Sequence, residues 1–331
     1  MCIRIGMQDT SLQNEYSIDE IETAEDRARL ARLKPRLIQR SRIISAARGF
    51  FHELGFFEVE TPLRITSPAP ELHIDPEPSG EKFLIASPEL QMKRLLAAGY
   101  DKIFQICRCF RKGEVGDRHQ PEFTMIEWYR TGGDTEALMG DCEGLLHRAA
   151  ESVDALQTVR RNGYDIDLSA PFERLEVADA FERLAGWRPN GTPDPDRFDR
   201  DLVDKVEPGL PPDRPVFLAG YPAAMASLAR LDSQNPERAE RFELYAGGLE
   251  LANGFMELTD EKEQRRRFEA EEAARRSAGK PPFPLDERFL GALKLGLPPA
   301  AGIALGVDRL AMLLTNADSI ADVTAFPAGT Y

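Results

Sequence analysis

Glu127 and Arg111 carry charge on segments that otherwise read as strands, and such groups are the first candidates for chemistry in this chain. In FQICRCFRKGEVGDRHQPEFTMIEWYRT, residues 104–131, Glu127 interrupts an apolar run and Arg111 closes the run before it. A charge desolvated alone costs several kcal/mol, roughly, so each needs a partner or a ligand. Side chains alternate along a strand. Phe123, Glu127 and Tyr129 therefore share one face of the second strand, and Cys107, Cys109 and Arg111 share one face of the first. One face offers an aromatic surface, an acid and a phenol.

Two further segments add charge. In LELANGFMEL, Asn253, Phe255 and Glu257 share a parity that Glu250 lacks. Both acids face one site only if the strand is interrupted, and Gly254 is the expected place for a bulge. Taken alone, Glu250 reads as a solvated edge charge. In GIALGVDRLAMLL a strand meets a helix at Gly306, with Arg309 in the first turn. Free N–H groups and the macrodipole attract anions there, and an arginine adds a bidentate phosphate grip. The plain alternative is a junction capped by Asp308 with Arg309 in water, which GxxR by itself favours.

The elements that must position these groups follow from pattern. Residues 1–33 are polar and read as a mobile arm or an exposed helix. From Pro35, Leu37, Ile44, Ala47, Phe51 and Leu54 recur at helical spacing, with Gly55 after the last turn. FFEVETP is a short strand stopped by Pro62. Ser87-Pro88-Glu89 starts a helix, with Ser87 as N-cap. Strands at about 103–111 and 122–130 form a hairpin with a long polar tip. A helix at 134–151 precedes an uninformative stretch, 152–214, read as an elaboration within one catalytic domain spanning 34–331. RFELYAGGLELANGFMEL is a second hairpin, and a charged helix follows at about 260–278. The residues themselves support an α+β fold of hairpins separated by helices.

Composition narrows the function. A chain of 331 residues with 42% hydrophobic content can bury a substantial core. A formal charge of -14 disfavours broad binding to nucleic acid, which relies on clusters of Lys and Arg. Cys2, Cys107, Cys109 and Cys142 include no CxxC pair, which argues against a zinc site or a disulfide framework. No apolar run approaches bilayer-spanning length and no signal peptide is evident, so the cytoplasm is the expected location.

Together these segments resemble class II aminoacyl-tRNA synthetases, specifically the lysyl branch. FRKGE with HQPEFTMIEWYR is similar to the second motif of the class, GIALGVDRL to the third and FFEVETP to the weaker first. SPELQMK and ELANGFMEL are similar to strings of the lysyl branch. Inside that branch the chain most resembles the shortened paralogues that act as elongation factor P lysine ligases. The resemblance covers about residues 35–326. It implies an antiparallel sheet of six or seven strands flanked by helices, and a homodimer built around the first motif near Pro62.

The resemblance also implies roles. Arg111 grips the α-phosphate of ATP and Arg309 the γ-phosphate, and these two are the catalytic pair. Lys112, Gly113, Glu114, His119, Gln120, Phe123, Leu251 and Gly306 line the nucleotide, with Phe123 stacked on adenine. Glu243 and Glu250 hold Mg2+, and Glu250 also borders ATP. Ser87, Pro88 and Glu89 meet the amino end of the amino acid. Glu127, Tyr129 and Glu257 surround its side-chain ammonium, Asn253 meets its carboxylate, and Phe255 and Ala304 complete the pocket. Three positions depart from the common pattern: Gly113 stands where an adenine-reading glutamate is usual, Gln120 for asparagine and Ala304 for glycine.

The implied activity is ATP-dependent formation of a lysyl adenylate, with (R)-β-lysine the favoured isomer, and transfer to a lysine of elongation factor P. No tRNA partner is expected, because 34 residues before Pro35 leave no room for an anticodon-binding barrel. A truncated lysyl-tRNA synthetase and a catalytically silent lysine-binding regulator are the competing readings.

Overall fold

The computed structural model describes residues 18–155 and 158–330. Helix α1 (Ile18–Glu53) leads into strand β1 (Phe57–Glu58) through Gly55, whose φ of +77° ends the helix in the left-handed region that glycine tolerates. Leu33, Ile43, Ala47 and Phe51 form its buried stripe. The helix therefore starts well before Pro35. An interior proline forfeits one backbone hydrogen bond. Contacts elsewhere hold the upstream turns in place: Leu33 is buried, and Arg29 Nη1 donates to the Ala325 carbonyl at 2.9 Å. Residues 1–17 of the expected arm lie outside the described residues.

The remaining strands of the main sheet are β2 (Lys102–Phe110), β3 (Glu122–Thr131), β4 (Glu173–Glu176), β5 (Val216–Ala219), β6 (Arg241–Ala246), β7 (Leu249–Met256) and β8 (Ala300–Gly306). With β1 they make eight strands in the order β1-β2-β3-β8-β7-β6-β5-β4. The six central strands run antiparallel, while β1 pairs with β2, and β4 with β5, in parallel. The expected antiparallel sheet is thus the centre of a larger mixed one. Its edge strands arrive through crossovers, which deliver them in the parallel sense. Residues 152–214 do more than decorate the domain, since β4 comes from that stretch.

Helices α2 (Glu89–Ala97), α3 (Thr135–Glu151), α4 (Val177–Ala185), α5 (Glu261–Ser277), α6 (Glu287–Gly296) and α7 (Val307–Leu314) cover the sheet. On one face α1, α3 and α7 bury Phe51, Leu145 and Met312 against Ile126 and Trp128 of β3. The alternate residues of β3, Glu127 and Tyr129, then point to the opposite face. There α2, α5 and α6 pack Leu90, Phe268 and Phe289 beside Tyr129 and leave the middle of the sheet uncovered.

The bulge in β7 exists, but not at Gly254. Leu244 of β6 faces Ala252 and Tyr245 faces Glu250, so Leu251 is the extra residue. That one-residue slip brings Glu250 onto the face of Asn253, Phe255 and Glu257. Gly254 has another purpose: a β-carbon there would meet Phe242 Cζ at 2.8 Å and Ile303 at 3.0 Å.

Candidate active site

At one end of the open face, acids from three elements converge. Glu89 opens α2, Glu127 lies mid-β3 and Glu257 follows the last residue of β7. Glu127 is 2% exposed and Glu257 1%. Ser87 Oγ accepts from the Glu89 N–H at 3.0 Å, which starts α2, and donates to Glu127 Oε2 at 2.7 Å. The Tyr129 hydroxyl donates to Glu127 Oε1 at 2.5 Å. Pro88, between Ser87 and Glu89 in the chain, is buried. Close approach depends on Gly302 of β8, where a β-carbon would overlap both the Tyr129 ring and the Glu257 carboxylate.

Lys93 is one residue that sequence reasoning missed. Its ammonium, 1% exposed, lies 2.5 Å from Glu89 Oε1 and 2.5 Å from Glu257 Oε2, and 5.1 Å from the centre of the Phe255 ring. Neither oxygen of Glu257 accepts a directed hydrogen bond among the described residues, so Lys93 holds it as an ion contact. Burial alone would lower Lys93, but the carboxylates of Glu257 and Glu89 keep it above the ordinary lysine value and charged. That single ammonium is shared between two acids. Burial, only partly offset by Lys93, pushes Glu257 up to about 8, and burial with the nearby Glu89 pushes Glu127 up to about 7. The signal was present in SPELQMK, where Lys93 follows Glu89 by one helical turn.

The other end of the face is built from arginines. Arg111 lies 5.2 Å from the centre of the Phe123 ring, and its Nη1 is 3.9 Å from Glu114 Oε1. Its Nε is buried without a partner among the described residues. Gly113 has a φ of +80°, so the tip loop demands glycine at the position where the class usually carries glutamate. Lys112 is exposed, and its backbone N–H donates to the Asp75 carbonyl at 2.7 Å.

Arg309 Nη1 donates to the Glu250 carbonyl at 2.8 Å and to Oε2 of Glu250 at 3.1 Å. Its Nη2 lies 2.6 Å from His119 Nε2. Burial and Arg309 lower His119, leaving a neutral ring whose Nε2 accepts. Asp308 does not cap α7. It accepts from the Thr124 N–H and from Arg40, each at 2.7 Å, and so fastens the helix that starts after Gly306 onto β3.

Two expected nucleotide neighbours point elsewhere. Gln120 Oε1 accepts from the Ala328 N–H at 2.7 Å, tying the hairpin tip to the C-terminal segment. Leu251, as the bulge residue, packs its side chain into the core behind the sheet. Only the backbone of Leu251 can border a ligand on the open face.

Between the two ends sits a second unforeseen cation. Arg241 donates to Glu243 Oε1 at 2.5 Å and to Asn253 Oδ1 at 3.2 Å. Glu243 Oε2 accepts from the hydroxyls of Tyr221 at 2.5 Å and Tyr245 at 2.6 Å. Burial raises the Glu243 carboxyl, Arg241 opposes this, and Glu250 raises it further. The alternation in RFELY places Arg241, Glu243 and Tyr245 on one strand face, which is the pattern that marks them. Ala304 lies between Asn253 and Glu127 on neighbouring strands, midway between the two ends.

A largely antiparallel sheet whose open face has acids at one end and arginines at the other is the architecture of a class II synthetase. The chain belongs to that family: the profile for tRNA synthetases class II (D, K and N) matches residues 25–330. Among its relatives is the elongation factor P--(R)-beta-lysine ligase of Proteus mirabilis, 43% identical over 307 residues, covering 88% of this chain and 94% of that protein. The protein of the same name from Salmonella paratyphi B is 41% identical over 314 residues, with the same coverage. The chain is accordingly an ATP-dependent ligase, of a class that uses ATP, typically with Mg2+.

Proposed function

We propose that this enzyme activates a lysine isomer, (R)-β-lysine, as its adenylate and transfers it to a lysine side chain of elongation factor P. The charge balance of the acidic pocket carries this reading. Glu89, Glu127 and Glu257 face one ammonium, that of Lys93, which leaves a surplus of two negative charges when the acids are ionised. A lysine isomer brings two ammonium groups and matches that surplus. Three donors on a compact charge suit Glu127, Glu257 and the Tyr129 oxygen.

At the arginine end, ATP lies against Phe123, with Arg111 at the α-phosphate and Arg309 and His119 at the outer phosphates. The unpartnered Arg111 Nε supports a ligand there. The substrate carboxylate attacks the α-phosphorus and pyrophosphate leaves, so the chain contributes positioning and charge stabilisation. Glu243 and Glu250 are the residues that would hold a divalent cation: the Glu250 charge raises the Glu243 carboxyl, and a cation would displace part of the Arg241 and Arg309 pairing. Mg2+ is commonly held by one or two carboxylates together with phosphates. It would neutralise phosphate charge.

The methyl of Ala304 narrows the pocket between Glu127 and Asn253 and supports the β-isomer. Exposed Leu54, Phe57, Leu63 and Tyr100 flank Pro62 beside edge strand β1 and support a homodimer there. Among the described residues no helix is long and apolar enough to cross a membrane. A cytoplasmic site of action is part of the reading.

The test supplies ATP, Mg2+ and isotopically labelled lysine isomers, with elongation factor P and tRNA as rival acceptors. Mass spectrometry should show an increment of one lysyl residue on the factor. Anticodon-dependent charging of tRNA without that increment would overturn the proposal.

A further inference from the structure

Beside the acidic pocket lies a cleft of about 250 Å³, walled by loop 69–71, loop 223–228 and helix α5. It is separate from the groups already described, yet it borders them. Ala229 bridges to Glu257, and the Leu258 N–H donates to the Leu228 carbonyl at 3.3 Å. Leu228 and Phe268 pack in the cluster that contains Tyr129.

The walls have a definite chemistry. Ala69, Ala223, Ala226 and Leu228 make them aliphatic. The cations on α5 are already used: Arg266 and Arg267 both pair with Glu263 at 2.8 Å, and Arg267 also donates to the carbonyls of Ser227 and Ala229. Beside the Ser227 hydroxyl, two polar side chains remain. Gln264 is fully buried, and both its amide atoms lack a partner among the described residues. Glu71 makes no side-chain hydrogen bond or ion pair there, although its loop is pinned. Arg275 donates to the Glu71 carbonyl at 2.6 Å, and Glu271 accepts from the Leu72 N–H at 2.9 Å. An aliphatic cleft with an unpaired carboxylate and an unsatisfied amide suits an alkyl chain that ends in an ammonium.

We propose that this cleft admits the acceptor lysine side chain, and that Glu71 takes a proton from its ammonium before attack. The inference rests on the reading of the enzyme as a ligase that acylates a protein amine. The charged groups acting on Glu71 are Glu89, at the acidic end of the site, Arg111, at the arginine end, Glu271 and Arg241. Burial, Glu89 and Glu271 raise it to about 7 against the arginines, a value suited to a base at neutral pH. In the step itself the ammonium gives one proton to Glu71. The freed nitrogen lone pair attacks the adenylate carbonyl, the C–N bond forms, and the C–O bond to phosphate breaks with AMP leaving. The second nitrogen proton passes to water.

The test separates activation from transfer in the full-length enzyme. Glu71→Gln should slow single-turnover transfer to the acceptor protein about 100-fold more than it slows ATP–pyrophosphate exchange. Hydroxylamine, neutral without a base, should trap the adenylate at a rate that falls no more than exchange does. Transfer by the unaltered enzyme should rise through about pH 7, and Glu71→Gln should lack that rise. Ala224→Trp, on the exposed rim, should slow protein transfer relative to hydroxylamine trapping. Equal losses in exchange and transfer, a raised amino-acid KM in exchange, or unimpaired transfer by either variant would overturn the inference. Absence of exchange in the unaltered enzyme would instead refute the ligase reading on which it rests.

Discussion

Replacing Lys93 with methionine keeps a chain of similar length in the pocket and removes one charge that two acids share. In the native protein Glu257 is pushed up to about 8 even with an ammonium 2.5 Å away. Without that ammonium its carboxyl rises further and is neutral at physiological pH. Removing one partner of a buried pair costs about 3–5 kcal/mol, part of which protonation of the orphaned acid absorbs. The remainder falls on the charged substrate, since a protonated Glu257 no longer complements an ammonium. A loss of about 2.7 kcal/mol corresponds to roughly 100-fold in affinity. ATP–pyrophosphate exchange with the amino acid varied, between about pH 6 and 9, reads this directly. Lys93→Met should raise the amino-acid KM by that factor and displace the acidic limb of the profile toward alkaline pH. The KM for ATP should stay near the native value, because Arg111 and Arg309 are untouched. An unchanged amino-acid KM with an unchanged pH profile would refute the counter-ion role and leave Lys93 as packing alone.

Arg309→Ala removes the donor to Glu250 and His119 and should lower exchange by roughly 100- to 1,000-fold, as expected when a charge-stabilising group is lost; normal exchange would sink the assignment. Ala304→Gly should improve the efficiency for lysine relative to β-lysine by about 1–3 kcal/mol in kcat/KM, and an unchanged ratio would show that the methyl does not discriminate. Glu127 and Glu257 bind protons more tightly folded than unfolded, with values of about 7 and about 8 against an ordinary 4.5. Their contribution to stability is therefore complete below about 4.5 and is lost as pH rises through 7 to 8. Thermal unfolding of the ligand-free protein should show Tm falling over that window, and Glu127→Gln with Glu257→Gln should flatten the fall.

How much of this was legible follows from the range over which each feature is encoded. Alternation along β3 is local, so the shared face of Phe123, Glu127 and Tyr129 could be read from residue types two apart. The same holds for Arg309 in the first turn after Gly306, and nearly so for the start of α2, which begins at Glu89 with Pro88 rather than Ser87 at the N-cap. The slip that unites Glu250 with Glu257 was also implied by parity, but its position was not. Backbone freedom points to Gly254 for the bulge, whereas Gly254 stays in register, where a β-carbon would meet Phe242 and Ile303, and Leu251 is the extra residue.

The rest depended on what packs against what. Lys93 reads as an ordinary helical lysine until α2 is laid across the sheet, where Glu257, distant in sequence, meets its ammonium. Gln120 reads as a nucleotide contact until the C-terminal segment brings the Ala328 N–H to it. Glu71 sits in a proline-rich loop without periodicity, and it gains meaning only because Arg275 and Glu271 hold that loop over the cleft. Periodicity and turn chemistry act between near neighbours along the chain, so residue order carries them. The partner of a buried charge is set by desolvation and Coulomb attraction across space, and only the folded arrangement of strands and helices decides which groups come within reach.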